Sequence, residues 1–164
     1  MADLRSQLRA WRGRRLWLLG VGNPARGDDG FGVRLVERLA PRADLQLQDA
    51  GTCPERYVGL AAQEGCQELV FADAVDFGAA PGALLLAGTA ELRDRPLATS
   101  THRVPLPVLA RYAEGLGVRA WILGVQPASL AEGEPLSPPV AGTLEALVAL
   151  LGRTTDGAAA RVQP

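Results

Sequence analysis

Two kinds of segment alternate along most of the chain, distinguished by the spacing of their hydrophobic positions. Short apolar or alternating runs bounded by Gly, Pro and polar residues predict five strands, at 16–22, 45–50, 68–75, 83–87 and 118–125. Apolar residues at helical spacing predict four helices, at 30–39, 54–64, 105–114 and 136–151. This alternation predicts an α/β fold, with a mainly parallel, twisted five-stranded sheet and helices on both faces in one three-layer domain.

The two ends of the chain depart from this pattern. Residues 1–15 are rich in arginine, which predicts a solvated basic tail. The domain itself is predicted to span 16–152, and residues 153–164 are predicted to form a flexible tail. Arg14-Arg15 before an apolar run partly resembles a twin-arginine export signal. However, Gly22-Asn23-Pro24 ends that run too early for an export signal. We therefore expect a cytoplasmic protein.

Composition narrows the functional classes. The chain has 164 residues, 48% of them hydrophobic, and a net charge of -1, which indicates one globular domain without the basic field that nucleic-acid binding requires. No apolar run reaches the roughly 18 to 20 residues of a membrane helix. Two cysteines do not make a disulfide framework. His102 is the only histidine, so any imidazole chemistry must use it.

Acidic residues follow two strands that are neighbours in the common strand order 2-1-3-4-5. Asp28 and Asp29 follow the first predicted strand, and Asp73 lies near the end of the third. Ligands of parallel sheets bind beyond the carboxyl ends of the strands, where the strand order reverses. A shared site is therefore plausible. His102, in a polar loop before a helix, is well placed to enter it.

Each of these residues also has a purely structural interpretation. Asp28 and Asp29 could cap a helix, although one cap needs only one carboxylate. Asp73 could be a strand-end acid that emerges into solvent, as could Asp76, and a single histidine is often structural. Together, two carboxylates and one imidazole form a known ligand set for zinc, nickel or iron that leaves positions open for substrate or water.

Two other chemistries remain as alternatives. The run from Gly20 to Ala25 contains G-x-G-x-x-A after a strand, as in dinucleotide-binding proteins. Pro24 removes a backbone donor there, and the two acids would repel a pyrophosphate. Cys53 could pair with His102 as a nucleophile, but no cysteine-protease signature surrounds it. Cys66 is expected to pack in the core.

Five motifs occur in one order along the chain: Gly20-Val21-Gly22-Asn23 with Asp28-Asp29-Gly30-Phe31-Gly32, Asp49-Ala50-Gly51-Thr52, Ala72-Asp73-Ala74, Thr101-His102-Arg103-Val104-Pro105-Leu106, and Leu123-Gly124-Val125-Gln126-Pro127. Together they resemble the hydrogenase maturation proteases, endopeptidases that remove a C-terminal extension from the large subunit of nickel–iron hydrogenases. The resemblance covers roughly Leu16 to Leu151. It is most similar to the branch that serves formate-hydrogenlyase-type enzymes.

The resemblance implies both a site and a substrate. The metal-contacting residues of the family fall on Asp29, Asp73 and His102, which would recognise nickel already inserted in the hydrogenase precursor. Nickel would then belong to the substrate rather than to this protein. The implied partner is the large-subunit precursor, and we expect a monomer. One departure is Asp49-Ala50-Gly51, where the family commonly has Asp-Gly-Gly. A nickel-recognising chaperone without peptidase activity is the main rival function.

Overall fold

The computed structural model describes residues 3–92 and 104–153. Within these ranges the five predicted strands and four predicted helices are present, and short helical segments precede β1 and follow β4. The elements in chain order are α1 (Leu4–Ala10), β1 (Leu16–Val21), a 3₁₀ turn (Gly27–Gly30), α2 (Phe31–Arg38), β2 (Leu45–Gly51), α3 (Glu55–Gln63), β3 (Glu68–Ala74), β4 (Leu84–Gly88), α4 (Thr89–Leu92), α5 (Leu106–Gly115), β5 (Arg119–Val125) and α6 (Pro138–Arg153). The predicted tail from residue 154 lies outside the described residues.

The strands form one sheet in the order β2-β1-β3-β5-β4. β2, β1, β3 and β5 are parallel, and β4 pairs antiparallel with β5. The predicted order 2-1-3-4-5 is therefore wrong at one edge, although β1 and β3 are neighbours as expected. The reason is the connection between β3 and β4, which contains no helix. A parallel strand needs a long crossover, so a short connection returns the chain antiparallel.

Helices cover both faces of the sheet, which confirms the predicted three-layer architecture. α3 and α5 share one hydrophobic core with the sheet, in which Val58, Leu69, Phe71 and Leu109 are buried. The helices on the other face, α1, α2 and α6, contribute side chains to a second core that includes Phe31. Strands buried on both faces explain why their sequences are near-continuous apolar runs. No helix within the described ranges is long and apolar enough to span a membrane.

Two glycines bring α2 unusually close to the sheet. A Cβ on Gly32 would lie 1.9 Å from the carbonyl oxygen of Ala72, and one on Gly20 would lie 2.4 Å from the carbonyl oxygen of Gly32. These distances are far below van der Waals contact with backbone atoms that cannot move aside. Glycine at both positions therefore sets the close helix–strand packing at the base of the loop that follows β1.

The N-terminal segment differs from the solvated tail that its arginines predicted. Asp3 caps α1 by accepting hydrogen bonds from backbone N–H groups. The helix places Leu4 and Leu8 against the core on the α2 side, where Trp11 is buried. Apolar residues at 4, 8 and 11 lie on one helical face, and that face packs while the arginines around it contact solvent.

A buried carboxylate pairs with an arginine that follows α1. It lies at the edge of the sheet where the parallel strands begin. Glu68, at the start of β3, is fully buried and lies 2.7 Å from Nε of Arg14. It also accepts hydrogen bonds from the Arg119 guanidinium and from the indole N–H of Trp121. Such a charge is tolerated inside a protein because it is paired and hydrogen-bonded.

Candidate active site

The predicted acidic residues follow neighbouring strands at the carboxyl edge of the sheet. β1 and β3 lie side by side in parallel, with Gly20 opposite Ala72. The loop after β1 carries the 3₁₀ turn that holds Asp28 and Asp29, and this turn contacts β3, the strand that carries Asp73. The expectation that these two strand ends adjoin is confirmed, as the parallel pairing of neighbouring strands requires.

Asp29 is held in place by the chain that turns out of β1. Its side chain is 2% exposed, and Oδ2 accepts a hydrogen bond of 2.9 Å from the backbone N–H of Asn23. Gly22 adopts φ +120, and a Cβ there would lie 1.8 Å from the carbonyl oxygen of Asp29. Glycine at position 22 is thus required for the loop to close around this carboxylate.

Asp28 performs a different task from its neighbour. It is fully buried and accepts four hydrogen bonds from the loop between β5 and α6. The donors are the backbone N–H groups of Ala128, Ser129 and Ser137 and the hydroxyl of Ser137, at 2.7–3.2 Å. The N-cap positions of the 3₁₀ turn and of α2 are Arg26 and Gly30, and neither makes a side-chain capping hydrogen bond. Asp28 therefore clamps a distant loop to the site turn and is not the helix cap that the sequence allowed.

Asp73 is 1% exposed and does not emerge into solvent. It lies opposite Gly124 in the pairing of β3 with β5, and its Oδ1 accepts a hydrogen bond of 2.8 Å from the N–H of Ala74. Side chains alternate along a strand, so Asp73 shares a face with Phe71 and projects on the side of the sheet that α3 and α5 cover.

Asp76, the other acid considered after β3, is exposed and structural. Its Oδ1 accepts hydrogen bonds from the Gln126 amide and from the N–H of Gly78, and both lower the pKa of Asp76. Gln126 in turn is buried and accepts hydrogen bonds from the N–H groups of Phe77 and Ala79. This glutamine from the last motif therefore ties the loop after Asp73 to the end of β5.

His102 and the polar segment 93–103 lie outside the described residues, so the third predicted metal ligand has no structural account. Within residues 3–92 and 104–153, no group of three or more His, Cys, Asp and Glu side chains could hold a metal ion. The described residue nearest to it in sequence, Val104, packs against the core under α5, which begins two residues later at Leu106.

The dinucleotide alternative conflicts with the hydrogen bonding of the loop after β1. A pyrophosphate needs free backbone N–H groups, but those of residues 22–29 are used within the protein. Acceptors are the carbonyl oxygens of Gly51, Asn23, Glu134, Ser129 and Arg26 and the side chains of Asp29 and Asn23. Pro24 has no N–H to offer. Residues 22–29 therefore offer no free backbone N–H group to a phosphate.

The chain matches the family model described as "Hydrogenase maturation protease" over residues 32–153. The chain belongs to this family. A "[NiFe] hydrogenase maturation protease HycI" from Thermococcus kodakarensis superimposes with a TM-score of 0.79 at 33% identity, covering 90% of this chain and 97% of the other. A solution structure named as an endopeptidase HycI from Escherichia coli gives a TM-score of 0.72 at 28% identity, covering 84% and 89%.

Curated relatives support the same assignment. "Hydrogenase 3 maturation protease" from Escherichia coli strain K12 is 30% identical over 131 residues, covering 78% of this chain and 83% of the relative. "Hydrogenase expression/formation protein HupD" from Rhodobacter capsulatus is 33% identical over 155 residues, covering 85% and 70%. As a member of the hydrogenase maturation proteases, the chain is a peptidase.

The maturation protease departs from the family's Asp-Gly-Gly pattern at Ala50, and the structure shows where the additional methyl group lies. Ala50 is buried in the core shared with α3, among residues that include Val58. Asp49 is exposed and its Oδ1 accepts a hydrogen bond of 2.9 Å from the N–H of Gly51, whose φ is +51. The methyl group therefore fills core space, while glycine remains at the position that needs a left-handed backbone.

The two cysteines of the protease lie in contrasting environments. Cys53, between β2 and α3, is half-buried, whereas Cys66 is buried and its thiol donates a hydrogen bond of 3.1 Å to the carbonyl oxygen of Glu68. Burial raises the pKa of the Cys66 thiol to about 11. The prediction that Cys66 packs in the core is confirmed.

We expect only Cys53 to react with a maleimide in the native protease at neutral pH. The reacting species is the thiolate. The raised pKa of Cys66 keeps its thiol protonated at neutral pH, and burial keeps the reagent away from it. Intact mass after brief labelling should show one adduct on the native protein and two after unfolding. Cys53→Ser should then show none in the native state. Rapid native labelling of Cys53→Ser would contradict the environment assigned to Cys66.

Proposed function

We propose that this protease removes a C-terminal extension from the large-subunit precursor of a nickel–iron hydrogenase after nickel insertion. Asp29, Asp73 and His102 recognise the nickel of the precursor. The observation that carries the proposal is a pair of nearly fully buried carboxylates in a hydrogenase maturation protease: Asp29 in the turn that follows β1, and Asp73 near the end of the neighbouring strand β3. Two buried carboxylates are costly in an apolar interior, and a divalent cation offsets that cost.

Nickel in this proposal is part of the substrate. Oxygen and imidazole ligands suit a divalent transition metal, and three protein ligands leave coordination positions for the precursor's own groups or for water. Metal loading would then license cleavage, because a precursor without nickel lacks the group that these side chains hold. In the hydrolysis itself, water adds to the scissile carbonyl and the peptide C–N bond breaks. Asp29 or Asp73 is the proposed acceptor of the water proton, which then passes to the nitrogen of the departing peptide as the C–N bond breaks.

The rest of the chain keeps these groups in position. The Asn23 N–H orients Asp29, the clamp at Asp28 fixes the turn that carries it, and Gln126 fixes the loop after Asp73. Such preorganisation is what peptide hydrolysis requires of groups that must meet one scissile bond. We further propose that the protease acts in the cytoplasm, because free thiols such as Cys53 and Cys66 persist there. We propose that it acts as a monomer.

The proposed branch of the family is the one that serves formate-hydrogenlyase-type enzymes. The motifs around His102 and Gln126 support it. Relatives named HupD and hydrogenase 3 maturation protease are similar to this chain to nearly the same degree, at 33% and 30% identity. Which hydrogenase is the substrate must therefore be decided by comparing the cleavage of different precursors, not by comparing the sequences of proteases.

The experiment that tests the proposal compares nickel-loaded and nickel-free forms of the same precursor. The intact mass of each is followed after incubation with the protease. We expect loss of a discrete C-terminal peptide from the loaded form only. Equal cleavage of both forms would remove nickel recognition from the proposal and leave a peptidase. A stable complex with the loaded form without loss of mass would instead identify the nickel-recognising chaperone.

A further inference from the structure

β2 lies at one edge of the sheet, with β1 as its neighbour. In a parallel pair, alternate residues direct their backbone groups toward the neighbouring strand, and the residues between them direct theirs away from it. The N–H of Leu16 on β1 donates a hydrogen bond of 2.9 Å to the C=O of Asp44. The even-numbered residues of β2 therefore face β1, and the odd-numbered residues direct their N–H and C=O groups toward the open edge, up to the register shift after Asp49.

The outward backbone groups of β2 differ in what they bind. Leu45 exchanges hydrogen bonds of 3.1 and 3.2 Å with Arg42. The C=O of Asp49 accepts a hydrogen bond of 2.7 Å from the side-chain amide of Gln48. Between them, the N–H and C=O of Leu47 have no hydrogen-bond partner in the part of the chain that the structure describes. A free donor and a free acceptor on one residue of an edge strand are complementary to the main chain of another extended segment.

The side chains of β2 do little to protect this edge from pairing. Edge strands are commonly protected by proline, by charged side chains, especially lysine, or by an element that covers them. β2 contains no proline and no basic residue, and the residues on either side of Leu47 are the neutral Gln46 and Gln48. At the other edge of the sheet, by contrast, the Glu91 carboxylate binds the N–H of Gly88 at the end of β4, at 3.1 Å. The sequence therefore leaves the outer side of β2 able to pair.

The open edge leads directly to the candidate site. The C=O of Gly51, the last residue of β2, accepts a hydrogen bond of 2.8 Å from the N–H of Gly22. The next residue, Asn23, donates its N–H to the carboxylate of Asp29. Neighbouring strands are about 4.8 Å apart, so a segment on the outer side of β2 lies roughly 10 Å from β1, a distance that about three extended residues span. A peptide paired with β2 can therefore continue to the site without a long connection.

We propose that the C-terminal extension of the large-subunit precursor pairs with the outer side of β2 at Leu47, as an added strand. This inference rests on the proposed function. The scissile bond then lies at the carboxyl edge of the sheet, and the extension leads away from it toward the start of β2. The extension therefore runs antiparallel to β2, and the residue opposite Leu47 exchanges two hydrogen bonds with it. This pairing keeps the extension extended while the scissile bond lies at the site.

The first test compares Leu47→Pro with Leu47→Ala. Proline removes the outward N–H and leaves the hydrogen bonds to β1 in place, which is why edge strands accept it. Alanine loses the same half-buried side chain but keeps the N–H, so it measures the cost of lost packing alone. KM for the loaded precursor is expected to be about fivefold higher for Leu47→Pro than for Leu47→Ala, with similar kcat, because one hydrogen bond to the extension is lost. Equal KM values for the two variants would contradict the pairing.

A second test uses the unmodified protease, so it decides the question even if Leu47→Pro does not fold. Synthetic peptides with the sequence of the extension, each N-methylated at one successive residue, compete with the loaded precursor. Inhibition is expected to weaken about fivefold when the methylated residue is the one opposite Leu47. It should be unchanged at the residues on either side, whose N–H groups face away from β2. An even profile along the peptide, or no inhibition by any peptide, would overturn the pairing.

Distinct outcomes separate the edge pairing from the proposed function. Cleavage of the loaded precursor, with an even profile of N-methylated peptides and equal KM for the two Leu47 variants, would overturn the pairing and leave the function intact. Binding without cleavage would move the comparison of the variants to dissociation constants, where the same about fivefold difference is expected. Neither binding nor cleavage would remove both proposals. A dimer in light scattering that Leu47→Pro dissociates would assign the outer side of β2 to a second copy instead.

Discussion

Asp29→Asn is expected to reduce the rate of precursor cleavage by at least about 10²-fold while leaving the fold intact, because a charged metal-contacting or proton-accepting group is lost. The substitution keeps the size of the side chain, and an amide oxygen can still accept the hydrogen bond from the N–H of Asn23. The loss should therefore lie in the chemistry or in nickel recognition rather than in stability.

Single-turnover cleavage of nickel-loaded precursor, followed by intact mass, measures this effect. Asp49→Asn provides the matched control, since Asp49 is an exposed carboxylate at the end of the neighbouring strand β2. It should retain nearly full activity, and both variants should unfold at the same denaturant concentration as the unmodified protein. Processing by Asp29→Asn at an undiminished rate would remove Asp29 from the site.

Asp28→Ala is expected to lower the free energy of unfolding by about 3 kcal/mol or more. The substitution leaves four donors of the partly buried β5–α6 loop without their acceptor, and a donor left unsatisfied costs about 1–3 kcal/mol where it is shielded from water. Part of this cost is recovered where water reaches the loosened loop. Because the same loop holds the turn that carries Asp29, cleavage should slow as well.

Urea unfolding measures this loss as a shift of the midpoint at constant slope. Asp76→Ala serves as the control, because Asp76 also accepts hydrogen bonds from a loop but is exposed to solvent. Its cost should stay within about 1 kcal/mol. If Asp28→Ala were no more destabilising than Asp76→Ala, Asp28 would not be the clamp between the turn and the loop.

The pattern of apolar residues was sufficient for most of the sheet. Strands buried on both faces are near-continuous apolar runs, so β1, β3 and β5 were predictable to within a residue or two. The direction of β4 was not, because the same apolar run fits either direction. The direction of β4 was indicated by the connection from β3, because the segment through Pro81-Gly82 is too short for a crossover helix.

The N-terminal helix was missed for a compositional reason. Arginines dominate residues 5–15 and favoured a solvated segment, yet the spacing of Leu4, Leu8 and Trp11 is that of one helical face. Asp3 supplies an N-cap directly before that pattern. Both signals were present in the sequence, and the apolar spacing outweighs the charge because long arginine side chains reach solvent from a packed helix.

The different tasks of adjacent acids could not be read from the sequence. Asp28 and Asp29 follow one another in a glycine-rich loop, and either could have faced the site. Their separation depends on partners distant in sequence. The loop around Ser129 and Ser137 donates hydrogen bonds to Asp28, and the backbone N–H of Asn23 donates one to Asp29. The resemblance to the family singled out Asp29 from a motif, whereas the structure supplies the physical reason that Asp28 is occupied elsewhere.

The most direct test of the central claim is the intact mass of a nickel-loaded large-subunit precursor after incubation with the protease and, separately, with His102→Ala. We predict that the unmodified protease removes one discrete C-terminal peptide and that His102→Ala leaves the mass unchanged, because the chain has no second imidazole. Cleavage at the same site and rate by His102→Ala would contradict the assignment of nickel recognition to Asp29, Asp73 and His102.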